Sequence, residues 1–111
     1  SGYEAMSRLY EKQPRLTAVF CASDEIALGA MSLLHDLGIA VPDDISIVGF
    51  DNTKIARMSI PKLTTVAQPM YEMGKAGMEV LRRLREEEPL DQLRIYMKHV
   101  IVERESVKSL M

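Results

Sequence analysis

Apolar residues along the chain fall into two rhythms. Short runs dense in β-branched and aromatic residues occur at residues 17–22 (T-A-V-F-C-A), 45–52 (I-S-I-V-G-F-D-N) and 63–67 (L-T-T-V-A). Runs of this length bounded by turn residues predict strands. In the second run Ile45, Ile47, Val48 and Phe50 crowd together, the composition of a strand buried on both faces in a parallel sheet covered by helices. Between the runs, apolar positions recur at three- and four-residue spacing and predict helices over 3–12, 24–37 and 69–87. The first two runs flank a helix that Gly38 ends and a Val41-Pro42-Asp43-Asp44 turn follows. That order describes a right-handed βαβ crossover between parallel strands.

The helical segments differ in what they offer to a core. The first carries Tyr3, Met6, Leu9 and Tyr10, has only Ser1 and Gly2 ahead of it, and is closed by Pro14, so the chain is expected to start inside a longer one. Ser23 is placed to cap the second helix, with Asp24 and Glu25 set against its positive end. At 100° per residue, Ile26, Ala30, Leu33 and Leu37 form a stripe expected to face the sheet, and Leu28, Met31 and His35 lie on nearly the opposite side. Only Glu25, Ser32 and Asp36 separate the two stripes. A second apolar stripe predicts a partner surface. Residues 53–61 read as an irregular or one-turn segment whose Ile55, Met58 and Ile60 are too apolar to be left in water.

Pro69 suits the first turn of the last helix, whose packed face is Met70, Met73, Gly77, Val80, Leu81 and Leu84. The acidic trio Glu86, Glu87 and Glu88 opposes the helix dipole, so fraying is expected after Leu84. Residues 93–104 predict one long strand or two consecutive ones, and the rest reads as a polar tail.

Composition narrows the function classes. With 111 residues, 47% hydrophobic and 27% charged, the chain has the makeup of one globular unit that buries about 60–70% of its unfolded surface. A net charge of −2, with basic residues scattered except for Arg82, Arg83 and Arg85 beside the acidic trio, argues against nucleic-acid contact by this segment. Cys21 has no partner for an internal disulfide, which permits a reducing compartment. No run approaches the ~18 apolar residues of a membrane span, and the start S-G-Y-E-A-M-S-R-L-Y-E-K is too charged for a signal sequence. His35 and His99 are far apart in sequence, and no Cys or acidic pair completes metal-ligand spacing. Phosphate-cradling glycine motifs are absent, Ser23 has no nucleophile elbow, and Asp51 has no second acid or Lys paired with it, so neither a cofactor nor a catalytic residue is expected.

What remains is a constellation at strand ends. Ser23, Asp51 and Gln68 each leave the carboxyl end of a predicted strand, where ligands bind in open α/β sheets. Asp51 and Asn52 equally suit a turn, since both hydrogen-bond their own backbone there.

The succession S-D-E-I-A-L-G-A-M, G-I-A-V-P-D-D-I-S-I-V-G-F-D-N-T, I-P-K-L-T-T-V-A-Q-P and I-V-E-R-E-S resembles the last third of the lactose-repressor and galactose-repressor family of bacterial transcription regulators. The resemblance implies an incomplete α/β, parallel-sheet, three-layer lobe of a periplasmic-binding-protein-like (type I) fold. It assigns residues 1–67 and 98–106 to the C-terminal lobe and 68–97 to a crossover helix and strand of the N-terminal lobe; the family's DNA-binding domain is not in this sequence. It implies a cytoplasmic homodimer that binds operator DNA through that domain and a small-molecule effector, a sugar in the preferred reading, through Ser23, Asp51 and Gln68. The implied dimer surface is Leu28, Met31, Ser32 and His35 with Ile55, Met58 and Ile60. A sugar-binding transport protein of the same fold is the alternative. F-D-N-T and T-V-A-Q-P-M-Y are closest in look to the catabolite-control type, whose phosphoprotein partner docks on basic residues. Tyr71 and Arg83 fit that pattern, but Glu79 and Val100 stand at two of its basic positions.

Overall fold

The computed structural model describes residues 1–89 and 96–110. The chain divides into two compact units, Ser1–Ala67 with Val100–Met111, and Gln68–His99. In the first unit the order is α1 (Gly2–Lys12), β1 (Ala18–Phe20), α2 (Asp24–Asp36), β2 (Ser46–Phe50), α3 (Lys54–Met58), β3 (Thr64–Ala67) and, after the second unit, β4 (Val100–Val102). The second unit holds helix α4 (Met70–Arg85).

The sheet runs β1-β2-β3-β4, parallel across the first three strands and antiparallel at β4. β1 pairs Val19 with Ile47, β2 pairs Gly49 with Thr65, and β3 pairs Thr65 with Val102. Alternation therefore places Ile47, Gly49 and Thr65 on one face and Val48, Phe50 and Val66 on the other. The first of these faces packs on α2 and forms the core with Ala27, Ala30, Leu34, Leu63 and Met6, all buried. The second is only partly covered: Phe20 and Ile101 are exposed on it, and Val48 and Phe50 half-buried. β2 is thus buried on one face rather than two. The run at 17–22, expected as a buried strand, is an edge strand of three residues with Phe20 65% exposed, because nothing in the described fold lies beyond β1.

Helix α2 forms where expected. Ser23 Oγ accepts from the Ile26 N–H at 3.2 Å. Its end is a full Schellman arrangement: Gly38 has a φ of +74°, its N–H donates to the His35 carbonyl, and the Ile39 N–H donates to that of Leu34. The buried apolar side of α2 is Ala27, Ala30, Met31, Leu33 and Leu34, so Ala30 and Leu33 of the expected stripe face the core while its two end members do not. Ile26 and Leu37 are 39% and 52% exposed. Helix α1 packs along α2: a Cβ at Gly29 would lie 2.7 Å from the Tyr3 backbone nitrogen, and one at Gly2 would collide with the Ile26 carbonyl. Tyr3 Oη donates to Asp36 Oδ2 at 2.8 Å across the same pair. Two glycines let the helices touch backbone to backbone.

Of the segment 93–104, expected as one long strand or two consecutive ones, the described residues form one short strand. Residues 93–95 lie outside the described residues, Tyr96–His99 take no regular structure, and β4 spans three residues. The expected polar tail is in fact part of the fold. Ser106 is fully buried, its Oγ accepts from the Thr64 N–H at 2.8 Å and donates to the Ile47 carbonyl at 2.6 Å, and its own carbonyl accepts from the Ile47 N–H. It plugs the fork where β2 and β3 separate, with Glu105 bonded to Lys62 and the Lys108 N–H to Ser46 Oγ on either side. Ser106→Ala leaves the Thr64 N–H and the Ile47 carbonyl without that partner, and a loss of about 2 kcal/mol is expected in urea unfolding.

Helix α4 ends at Arg85, short of the expected Glu87, and none of its residues is buried. Met70, Tyr71, Met78 and Leu81 line an open groove of about 1060 Å³, with Lys75 and Arg85 among its polar margins. The packed face expected on this helix has no covering element among the described residues. The acidic residues at its end are held by Arg82, whose guanidinium lies 2.7 Å from Glu79, 2.6 Å from Glu86 and 2.6 Å from Glu88. Hydrogen bonds from Arg82 and then Arg83 hold the Glu79 carboxyl down at about 2.

Candidate functional site

β1 and β2 deliver Ser23 and Asp51 to the same end of the sheet, because parallel neighbours expose their carboxyl ends together. Both line one cleft of about 300 Å³ in the first unit, with Asp24, Glu25, Thr53, Lys54 and Ile55. Gln68, the third residue of the expected constellation, belongs to the second unit. Of the expected partner surface, Ser32, His35, Met58 and Ile60 are exposed, Leu28 and Ile55 half-buried, and Met31 only 8% exposed because it turns into the core.

The turn carrying Asp51 is unusual. Asp51 has a φ of +106° and Asn52 a φ of +55°, so two consecutive side-chain-bearing residues occupy the half of backbone space that favours glycine. Such conformations cost about 1–3 kcal/mol each and persist where surrounding structure enforces them, commonly at ligand sites. The Asp51 N–H still donates to the Val66 carbonyl at 2.8 Å, closing the β2–β3 ladder. The bend thus begins at Asp51 itself and turns the chain out of the sheet.

Beneath the turn lies a buried polar network. Asp24, the first residue of α2, is fully buried. Its Oδ2 accepts from the Thr53 N–H at 2.6 Å and from Thr53 Oγ1 at 2.9 Å, and its Oδ1 from Thr65 Oγ1 at 2.6 Å. Thr65 Oγ1 in turn accepts from the Asn52 N–H at 3.3 Å. Arg104, two residues past β4, donates from Nη2 to Asn52 Oδ1 at 2.7 Å and from Nη1 to the Leu63 carbonyl at 2.9 Å. Among the described residues no buried side-chain polar atom lacks a hydrogen-bond partner.

Periodicity placed Asp24 only as a charge suited to a helix start; its burial was not apparent. One signal points to it. Gly49 interrupts an otherwise bulky strand, and a Cβ there would collide with Asp24 Oδ1 and sit 2.8 Å from Leu63 Cδ2. The glycine makes room for the carboxylate.

Chemically, the cleft presents carboxylates and hydroxyls with one ammonium. Such a lining accepts hydrogen bonds from ligand hydroxyls and disfavours anionic ligands. Phe20 and Phe50 meet edge-to-face, 6.3 Å between centroids, at the ends of the same two strands. Burial pushes the Cys21 thiol up from its usual value, so it stays protonated and unreactive at neutral pH. Among the described residues no group of three or more His, Cys, Asp or Glu is placed to hold a metal ion, and no helix is long and apolar enough to cross a membrane.

A βαβ sheet with polar strand ends opening on one cleft is the architecture of small-molecule binding lobes. Residues 1–107 match the model of the periplasmic binding protein-like domain, and the chain belongs to that family. It is 41% identical over 108 residues to catabolite control protein A of Priestia megaterium, covering 97% of this chain and 32% of that protein. Among solved structures it is similar to the transcriptional regulator CelR in complex with cellobiose (TM-score 0.89, 34% identity, 96% of this chain and 32% of that one). It is also similar to the lac repressor dimer bound to operator and the anti-inducer ONPF (TM-score 0.84, 29% identity, 97% and 37%). The chain spans about a third of the length of the curated relatives it matches. Its resemblance to lactose-repressor regulators extends over nearly all of its residues, and its fold is an incomplete periplasmic-binding-protein-like α/β unit.

Proposed function

We propose that this chain is the effector-sensing and dimerising portion of a cytoplasmic bacterial transcriptional repressor, with no enzymatic activity and with operator DNA contacted by a separate domain. The observation that carries the reading is Asp51, held at a φ of +106° on the cleft that Ser23 shares. The effector is a sugar: a carboxylate accepts two neighbouring hydroxyls in charge-assisted bonds, and the acidic lining suits a neutral polyol better than a phosphate. Gln68 is a third contact, its amide offering both a donor and an acceptor. In this reading residues 1–67 and 98–106 belong to the C-terminal lobe and 68–97 cross to the N-terminal one.

The dimer surface combines Leu28, Met31, Ser32 and His35 with Ile55, Met58 and Ile60. Its support is Met58 at 75% and Ile60 at 93% exposure, beside a cleft of about 240 Å³ lined by Met31, His35, Val41 and Ile60; large apolar side chains left this open on a folded unit favour a second copy. A phosphoprotein corepressor on α4 is disfavoured, because Glu79 pairs with Arg82 and with Arg83, the basic residue that otherwise fits.

The test is to titrate the complete protein, bound to its own promoter DNA, with cellobiose, lactose and ribose while following DNA release and particle size. One sugar is expected to shift DNA affinity by tenfold or more from a dimeric protein. A monomer indifferent to all three, with and without DNA, would defeat the proposal.

A further inference from the structure

Besides the Asp51 N–H on the Val66 carbonyl, three side chains fasten the residues that follow Asp51. The Asn52 N–H rests on Thr65, Thr53 is gripped by the buried Asp24, and Asn52 Oδ1 receives Arg104 Nη2 at 2.7 Å. Thr65 and Asp24 belong to the strand and helix already packed beneath the site. Arg104 is different. It follows β4, the strand by which the chain re-enters the sheet after the second unit. Its backbone N–H donates to Thr64 Oγ1 and its second guanidinium arm to the Leu63 carbonyl, so it is fastened both to the first residue of β3 and to the residue before it.

We propose that Arg104 is a positioning residue for the Asp51 carboxylate, tying the turn after β2 to the segment that follows β4. The inference rests on the reading of Asp51 as the effector acceptor. The planar fork of an arginine bridges a backbone carbonyl and a turn side chain at once, which the single ammonium of lysine does not. Asn52 is one peptide bond from Asp51, and its φ of +55° leaves it little freedom except where it is tied. Release of Arg104 from Leu63 and Thr64 therefore frees the Asn52 amide and the neighbouring effector carboxylate together. By reciprocity, a ligand that fixes Asp51 steadies the Arg104 contact.

Two measurements on the complete protein separate this inference from the functional reading beneath it. Without ligand, Arg104→Gln is expected to raise backbone hydrogen exchange in peptides covering residues 51–56 at least tenfold, leaving those covering 45–50 unchanged. Asn52→Asp, which keeps the acceptor, leaves both unchanged. Should Arg104→Gln fail to fold, Arg104→Lys, which retains one arm, takes its place with a smaller but still local increase. In titration with whichever of cellobiose, lactose and ribose binds, Arg104→Gln is expected to weaken binding at least tenfold, but less than twofold further when Asp51→Asn is already present. Unchanged or uniformly raised exchange overturns the clamp whatever the ligand. Binding lost on Asp51→Asn but untouched by Arg104→Gln overturns the positioning role and leaves the functional reading standing. Raised local exchange with sugar binding indifferent to both substitutions leaves the clamp and removes Asp51 from the site.

Discussion

Asp24→Ala is expected to destabilise the first unit by about 4 kcal/mol, read as a lowered midpoint in urea unfolding at constant slope. The side chain is wholly buried and takes three donors, two from Thr53 and one from Thr65. Bonds to a charged acceptor contribute about 1.5–3 kcal/mol each, and a buried donor stripped of its acceptor costs about 1–3 kcal/mol. These terms overlap because the two hydroxyls can turn to other acceptors, while the Thr53 N–H cannot. Asp24→Asn preserves the shape but offers one acceptor oxygen where two are used, so about half the loss is expected. Gly49→Ala attacks the same contact from the strand side, since the added methyl collides with Asp24 Oδ1. A loss below about 1 kcal/mol for Asp24→Ala would mean that water replaces the carboxylate and that the network is not what holds the turn.

Asp51→Gly is expected to separate stability from binding. In the complete protein it should lower effector affinity by about 10²- to 10⁴-fold, because two charge-assisted bonds to ligand hydroxyls are lost and those hydroxyls are left unpaired. The dimer should remain intact, since Asp51 is not among the residues proposed for that surface. Stability should hold steady or rise by up to about 1 kcal/mol: glycine relieves the strain of a φ of +106° but adds freedom to the unfolded chain. Asp51→Ala should lose affinity equally and lose stability as well, because alanine tolerates a positive φ less well than aspartate does. Calorimetric titration and thermal unfolding of the two variants side by side decide the matter. If glycine at this position left affinity unchanged, Asp51 would be a turn residue and no more.

The parts of the site legible in the sequence are those set by neighbours along the chain. Ser23 lies between a strand and a helix, and a serine there caps the helix wherever the rest of the protein goes. Asp51 ends a densely apolar run, so its place at a strand tip followed from the composition of that run and the turn residues that close it. Errors arose where contacts come from far away. Ala30 and Leu33 of the expected α2 stripe are buried, but Ile26 and Leu37 at its ends are not, and α1 packs backbone to backbone on α2 at Gly2 and Gly29. Met31, expected on the outer stripe, is only 8% exposed and also packs in the core. Ser106 reads as one more polar residue in a tail, yet it seals β2 against β3 from 42 and 59 residues away.

By itself the sequence determined the first three strands and the three longer helices, where α2 begins and ends, and that polar groups leave adjacent strands at the same end. Periodicity, capping and glycine at positive φ act within a few residues, so they are written locally. Only the tertiary structure decided that Asp24 is buried, that the Asp51 turn is clamped, and that Arg104 reaches Asn52 across 52 residues of chain. Burial and hydrogen-bond partnership belong to pairs of distant segments, and a side chain's solvent exposure is set by whatever the fold brings against it.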